Sequence, residues 1–281
     1  MMMNIGARGH DFKTVHSPAE LGKRFKKKGF NIIQLSLPAS FPDMPSEAKD
    51  ITMGMGKYFK DSLAEYGVEI AILSCYVNII HPDKQIRKEN LEKFCSYVRF
   101  AKYFGAAMVV TETGNVQSEI TYTKDNFTEE AFQDCVESVS IMAEAAEKAG
   151  IHIGIEPGLN HPIYSPVVMK KLLDQVDSPN LVVVLDPTNL IDSDTHKTQA
   201  ELFQQSFDLF GKDIVAVHLK DFTVADDQLQ IAPLGKGIMD FKSILKIIKK
   251  ESPFLHIITE ETKEEELDSA MLYLKDIQKN I

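Results

Sequence analysis

The sequence predicts a (β/α)8 TIM barrel filling the whole chain, residues 1–281, as a single domain. Three observations lead there. Short β-rich runs alternate with longer amphipathic stretches from one end to the other, the mark of repeated βα units and a parallel sheet. The runs end near Gly9, Leu37, Tyr76, Glu112, Glu156, Asp186, His218 and Glu260, at intervals of about 28 to 44 residues, and eight such units are what closes a barrel. A chain of 281 residues is also an ordinary length for one α/β barrel. The competing doubly wound sheet calls for a glycine-rich phosphate turn after its first strand. Ile5-Gly6-Ala7-Arg8-Gly9 lacks the third glycine and the helix opening that this turn needs.

The helices between the strands carry their own start and stop signals. Ser17-Pro18-Ala19-Glu20 reads as an N-cap, a proline in the first turn and a capping-box glutamate, and Gly29 closes that helix. Asp83 opens a long helix ending at Gly105, Thr128 opens another ending at Gly150, and Ser165-Pro166 opens a third. The stretch from Asp221 to Gly237 is too long for a minimal βα loop and contains the alternating run Gln228-Leu229-Gln230-Ile231. It is expected to form a small hairpin or lid over the catalytic face.

Composition narrows the partners. A formal net charge of −10 disfavours a nucleic-acid backbone, whose binding depends on lysine and arginine neutralising phosphates. The basic run Lys23 to Lys28 reads as a solvated helix end, and the acidic run Glu260 to Glu266 as a strand end followed by a helix's first turn. Cys75, Cys95 and Cys135 are odd in number and widely spaced, which excludes a disulfide framework or a thiolate metal site and fits a reducing cytoplasm. Arg8, His10 and Asp11 stand where a signal peptide needs an apolar stretch, and no apolar run is long enough to span a bilayer. A cytoplasmic location with no membrane partner is the expectation.

The chemistry is expected where the strands end. Glu156 follows Ile-His-Ile-Gly-Ile, Asp186 follows Leu-Val-Val-Val-Leu, His218 follows Ile-Val-Ala-Val, and Glu260 follows Leu-His-Ile-Ile-Thr. On neighbouring parallel strands these four side chains converge, and carboxylates with an imidazole suit a hard or borderline divalent ion. Strand alternation puts Glu156 on the face of Gly154 and His152, and Glu260 on the face of Ile258 and His256. The two histidines read as bonded barrel-floor residues. A one-residue change of register would turn Glu261 inward instead of Glu260.

Around these four, Lys220 is expected to share the inward face with His218, either holding a substrate oxygen or pairing with Asp221 at the rim. Glu112 is placed to bind substrate hydroxyls or to orient Lys220, with Gly114 allowing a close backbone approach. Arg8, His10, Tyr76 and Asn78 complete a polar rim. Gly235 and Gly237 are lid turns or backbone donors to an anion.

Ile-Glu-Pro at 155–157, Leu-Asp-Pro-Thr-Asn at 185–189, Val-His-Leu-Lys-Asp at 217–221 and Leu-Gly-Lys-Gly at 234–237 resemble the sugar phosphate isomerase/epimerase group of the xylose isomerase-like TIM barrels, over essentially the whole chain. The resemblance implies one divalent ion, manganese preferred and magnesium, cobalt or zinc permitted, held by Glu156, Asp186, His218 and Glu260. It implies a carbohydrate substrate and isomerisation or epimerisation by proton abstraction beside a carbonyl through an enediolate, with Glu156 and Glu260 as the catalytic pair. A metal-dependent dehydratase is the alternative on the same fold; an apurinic endonuclease and a non-catalytic sugar-binding protein are further readings. His161 is implied to reach the substrate, its other reading being a solvated loop histidine. Asn189 stands where ketose epimerases of the group carry histidine and is suited to bond a hydroxyl. A homo-oligomer is implied by resemblance alone.

Overall fold

The computed structural model describes residues 3–281. Eight parallel strands close into a barrel: β1 (Asn4–Arg8), β2 (Ile32–Ser36), β3 (Glu69–Ser74), β4 (Met108–Glu112), β5 (His152–Glu156), β6 (Leu181–Leu185), β7 (Ile214–Leu219) and, after a two-stranded excursion, β10 (His256–Thr259), which pairs with both β7 and β1. Every strand ends within two residues of its predicted end. The excursion is the expected hairpin, β8 (Asp221–Ala225) paired antiparallel with β9 (Gln228–Ala232).

The helices that cover the barrel start where the sequence chemistry says. The α-helices are α1 (Pro18–Lys28), α2 (Leu37–Ser40), α3 (Met53–Ala64), α4 (Lys84–Phe104), α5 (Glu129–Ala149), α6 (Pro166–Val176), α7 (Gln199–Phe210), α8 (Phe241–Glu251) and α9 (Leu267–Lys279). Ser17, Asp83, Thr128 and Ser165 each accept a backbone N–H of the first turn, and Gly29, Gly105 and Gly150 end their helices in the left-handed region. In the first capping box Glu20 reaches one residue further than expected, accepting the N–H of His16 rather than that of Ser17. The acidic run differs as well: α9 begins only at Leu267, so Glu261 to Glu266 form a loop. Glu264 there pairs with Arg24, and Asp268 with Lys28, so the basic run of α1 joins the first helix to the last instead of standing free.

Two layers fill the barrel. Ile32, Ile72, Val110, Val184, Ala216 and Ile258 form a buried apolar cluster separate from the larger core between strands and helices. Glycine completes the layer on β5, where a Cβ on Gly154 would lie 2.8 Å from Val110 Cγ2. Two residues further along these strands, on the same faces, stand Gln34, Ser74, Glu112, Asp186, His218, Glu260 and Glu156. An apolar floor therefore supports a polar layer at the C-terminal end of the barrel.

The floor histidines differ from their predicted state. His152 is exposed, and the buried Nδ1 of half-buried His256 has no hydrogen-bond partner. They sit at the far end of the barrel, as expected, His152 facing solvent and His256 Nδ1 without a partner among the described residues.

Candidate metal centre and adjoining cavities

Glu156, Asp186, His218 and Glu260 each offer a ligand atom within 4.8 Å of the others. His218 Nδ1 lies 2.9 Å from Glu260 Oε2 and 3.2 Å from Glu156 Oε1, and the ring is fully buried. Its other nitrogen, Nε2, is 2.7 Å from Gln34 Oε1. The Gln34 amide is itself oriented, donating from Nε2 to Ser74 Oγ and Tyr76 Oη. A carbonyl oxygen facing Nε2 requires a proton there, so Nδ1 is the nitrogen turned to the centre of the cluster. There it pairs with the two carboxylates as N–H and would present its lone pair to a metal ion that displaced that proton, with Gln34 as the usual outer support of a metal-binding histidine.

The carboxylates are held differently. Glu260 Oε1 lies 3.0 Å from Arg8 Nη1 and 3.0 Å from Lys220 Nζ, and these cations with His218 keep Glu260 well below the usual carboxylate range against the upward push of burial. Glu156 meets mostly neutral donors, Tyr76 Oη at 2.7 Å and Asn189 Nδ2 at 2.8 Å. Asp186 Oδ1 accepts the N–H of Thr188. Its Oδ2 has Lys220 Nζ 2.9 Å away as an ion pair, yet is buried and accepts no directed hydrogen bond.

The charge balance of the cluster decides whether the residues suit a cation. Three buried carboxylates packed within reach of one another repel unless positive charge lies among them, and Lys220 and Arg8 approach them only from the side. His218 shows the same demand: burial alone would lower its pKa, but Glu156 and Glu260 reverse this and push it up to about 10. Three carboxylate oxygens and one imidazole nitrogen match a divalent ion of the hard or borderline kind.

The register leaves Glu261 outside. Its backbone turns to φ +51°, and its half-exposed side chain binds Arg8 Nη2 at 2.9 Å. Arg8 is tied to Asp11, Glu260 and Glu261 at once, while lining the inner cavity beside Tyr76 and His10. Burial and Arg8 lower the His10 pKa to about 4, so its imidazole is neutral, and its Nδ1 has no partner.

Several neighbours do not pair as the sequence suggests. Lys220 binds Asp186, Glu260 and Asn189 Oδ1, not Asp221. Asp221 instead takes the backbone N–H groups of Phe222, Gly235, Gly237 and Met239, so the anion served by the two glycines is a residue of the chain itself. A Cβ on Gly237 would lie 2.2 Å from Asp221 Oδ1. Glu112 does not orient Lys220; it lies 3.3 Å from His161 Nε2. His161 is not a solvated loop residue but is 3% exposed, with Nδ1 2.8 Å from the carbonyl of Gly114. Burial lowers its pKa, and Glu112 with the Gly114 carbonyl outweighs that, so the net shift is upward.

Gly114 has φ +83°, and a Cβ there would lie 2.1 Å from Asn78 Oδ1. Asn78 thus fastens the β4 loop, donating to the carbonyls of Asn115 and Gln117, rather than lining a rim. Gln34 is the functional neighbour that sequence reading missed. The available signal was a lone amide inside the buried run Ile-Ile-Gln-Leu-Ser.

Two cavities open over this layer and share Glu112. The inner one, about 320 Å³, is lined by Arg8, His10, Gln34, Tyr76, Glu156 and Glu260 among others. The outer one, about 550 Å³, lies between His161, Asn189, the loop at Tyr122 and the β8–β9 hairpin.

The sequence profile of the xylose isomerase-like TIM barrels matches residues 23–278. The chain belongs to that family. Solved members of similar fold include a D-tagatose 3-epimerase-like protein (TM-score 0.77, 19% identity, 99% of this chain and 98% of that one). A xylose isomerase-like protein from Mycobacterium smegmatis in complex with magnesium superposes with TM-score 0.75 at 16% identity, covering 99% and 97%. A probable 3-DHS dehydratase from Bacillus anthracis does so with TM-score 0.74 at 17% identity, covering 98% and 99%. At these identities the likeness to each is one of fold. No curated protein sequence matches the chain. Among the described residues no helix is long and apolar enough to cross a membrane.

Proposed function

We propose that this xylose isomerase-like protein is a divalent-metal-dependent isomerase or epimerase that removes a proton beside the carbonyl of a ketose or ketose derivative. The observation that carries the reading is the convergence of Glu156, Asp186, His218 and Glu260 within 4.8 Å of one another. Glu156, Asp186, His218 and Glu260 would hold a divalent ion, which would supply Lewis acidity toward a carbonyl oxygen.

The residues divide the remaining work. Accepting a proton at Glu260 would weaken its contacts with Arg8, Lys220 and His218, whereas at Glu156 only the His218 contact is weakened, its other partners Tyr76 and Asn189 being neutral. Glu156 is therefore assigned the proton removal, and the carboxylic acid it becomes is the group that returns a proton, while Glu260 stays ionised against Arg8 and Lys220. Lys220, raised by Asp186 and Glu260 above its ordinary value despite burial, stays protonated and steadies negative charge. Neutral His10 lines the inner cavity, with its Nδ1 buried away from it.

Dehydration is the second reading, favoured by His161. Its contacts with Glu112 and the Gly114 carbonyl stabilise the imidazolium, a proton donor suited to a departing hydroxyl. Incubation with a panel of ketoses and inososes in D₂O, with manganese and after chelation, tests both. Metal-dependent deuterium beside the carbonyl supports enolisation, and the product tells epimer from isomer from dehydrated compound. Labelling that survives chelation overturns the metal role.

A further inference from the structure

The outer cavity has no counterpart in the reaction just described. It adjoins the inner one at Glu112 and at about 550 Å³ is the larger, so a single sugar ring at the four-residue cluster leaves it unused. Its walls are of two kinds. Tyr122, 59% exposed, and Ile231, 50% exposed, present apolar surface to it beside Leu229, while Asn160, Ser193 and Gln228 add neutral polar groups. Leu229 and Ile231 share one face of β9, which is what the alternation of that strand provides.

Charge makes the second point. Among the described residues lining this cavity there is no lysine or arginine, and Glu112, Asp192 and Asp227 are acidic. In the inner cavity and the cluster beneath it, Arg8 and Lys220 are each already bound by two or more carboxylates. A phosphate, with close to two negative charges, would find acids and, as the one cation among these linings not held by two carboxylates, a His161 already paired with Glu112. A neutral ring with an apolar face and hydroxyl edges finds matching surface on both counts.

We propose that the outer cavity is a second-ring subsite and that the substrate is an uncharged ketose bearing a further sugar ring, not a sugar phosphate. This builds on the enolisation reading above and specifies its substrate. The β8–β9 hairpin and the loop at Tyr122 would grip the second ring while the keto-sugar lies over Glu156 and Glu260.

Three probes differing only at the ketose 6-position test this: fructose, fructose 6-phosphate and isomaltulose, which carries a glucosyl group there. Each is titrated calorimetrically into the manganese-loaded protein. Isomaltulose is expected to bind about tenfold more tightly than fructose, and fructose 6-phosphate more weakly than fructose. Ile231→Asp and, on a separate loop, Tyr122→Ala are each expected to lower isomaltulose affinity about fivefold more than fructose affinity. Absence of a preference for isomaltulose, including failure to bind it, overturns the proposal, as does fructose 6-phosphate binding best. Deuterium uptake in the same samples separates the two readings. Selective binding of isomaltulose without uptake upholds the subsite and counts against enolisation; uptake into fructose 6-phosphate ahead of isomaltulose does the reverse.

Discussion

Two layers of the barrel interior, one dipeptide step apart on the same strands, have opposite chemistry. Below lie Ile32, Ile72, Val110, Gly154, Val184, Ala216 and Ile258; above lie Gln34, Ser74, Glu112, Glu156, Asp186, His218 and Glu260. The lower layer is stable by burial alone, whereas the upper holds four carboxylates, three of them, Glu156, Asp186 and Glu260, packed against an imidazole, Lys220 and Arg8. A close-packed floor lets such a layer persist, because strands that cannot shift keep like charges where an ion can use them. Stability and function are thus separated by about two residues' rise along each strand, roughly 7 Å.

If that separation is real, substitutions above should take activity and substitutions below should take stability. The largest effect is expected from Asp186→Ala: metal content falls and turnover drops by about a thousandfold or more, with little loss of melting temperature. Metal analysis beside a deuterium-exchange assay measures it, and normal turnover without metal would break the distinction. Ile258→Ala is its converse, costing about 2–5 kcal/mol in denaturant unfolding while manganese affinity at low temperature is retained. Loss of metal with unchanged stability would show that the floor does not work as a floor.

Smaller changes sharpen the boundary. Gln34→Leu leaves His218 Nε2 without its acceptor and is expected to weaken manganese binding about 10–100-fold, readable by calorimetry. His161 lies outside both layers and tests pH. Its folded pKa is raised, so its contribution to stability is full below the unfolded value of about 6.5 and is lost as pH rises through the folded value. His161→Gln should flatten that decline by roughly 1 kcal/mol or less; an unchanged pH profile of unfolding would remove the Glu112 contact from the account.

Much of this was legible in the sequence because it depends on periodicity. Strand ends, helix caps and the inward register of Glu156 and Glu260 follow from alternation and terminal chemistry within a few residues. What escaped depends on contacts between distant segments. Gln34 sits in an apolar run and acquires meaning only when β2 is placed across the barrel from β7. The sequence leaves Lys220 between a substrate oxygen and its neighbour Asp221, because it does not show that β6 and β10 bring Asp186 and Glu260 within reach. His161 became buried because a left-handed turn at Gly114 brings a carbonyl to it from the preceding loop.

The most direct test is to titrate manganese calorimetrically into the chelator-stripped protein. The account predicts saturable binding of one ion per chain; no saturable binding, or binding of two or more ions with similar affinity, would contradict it.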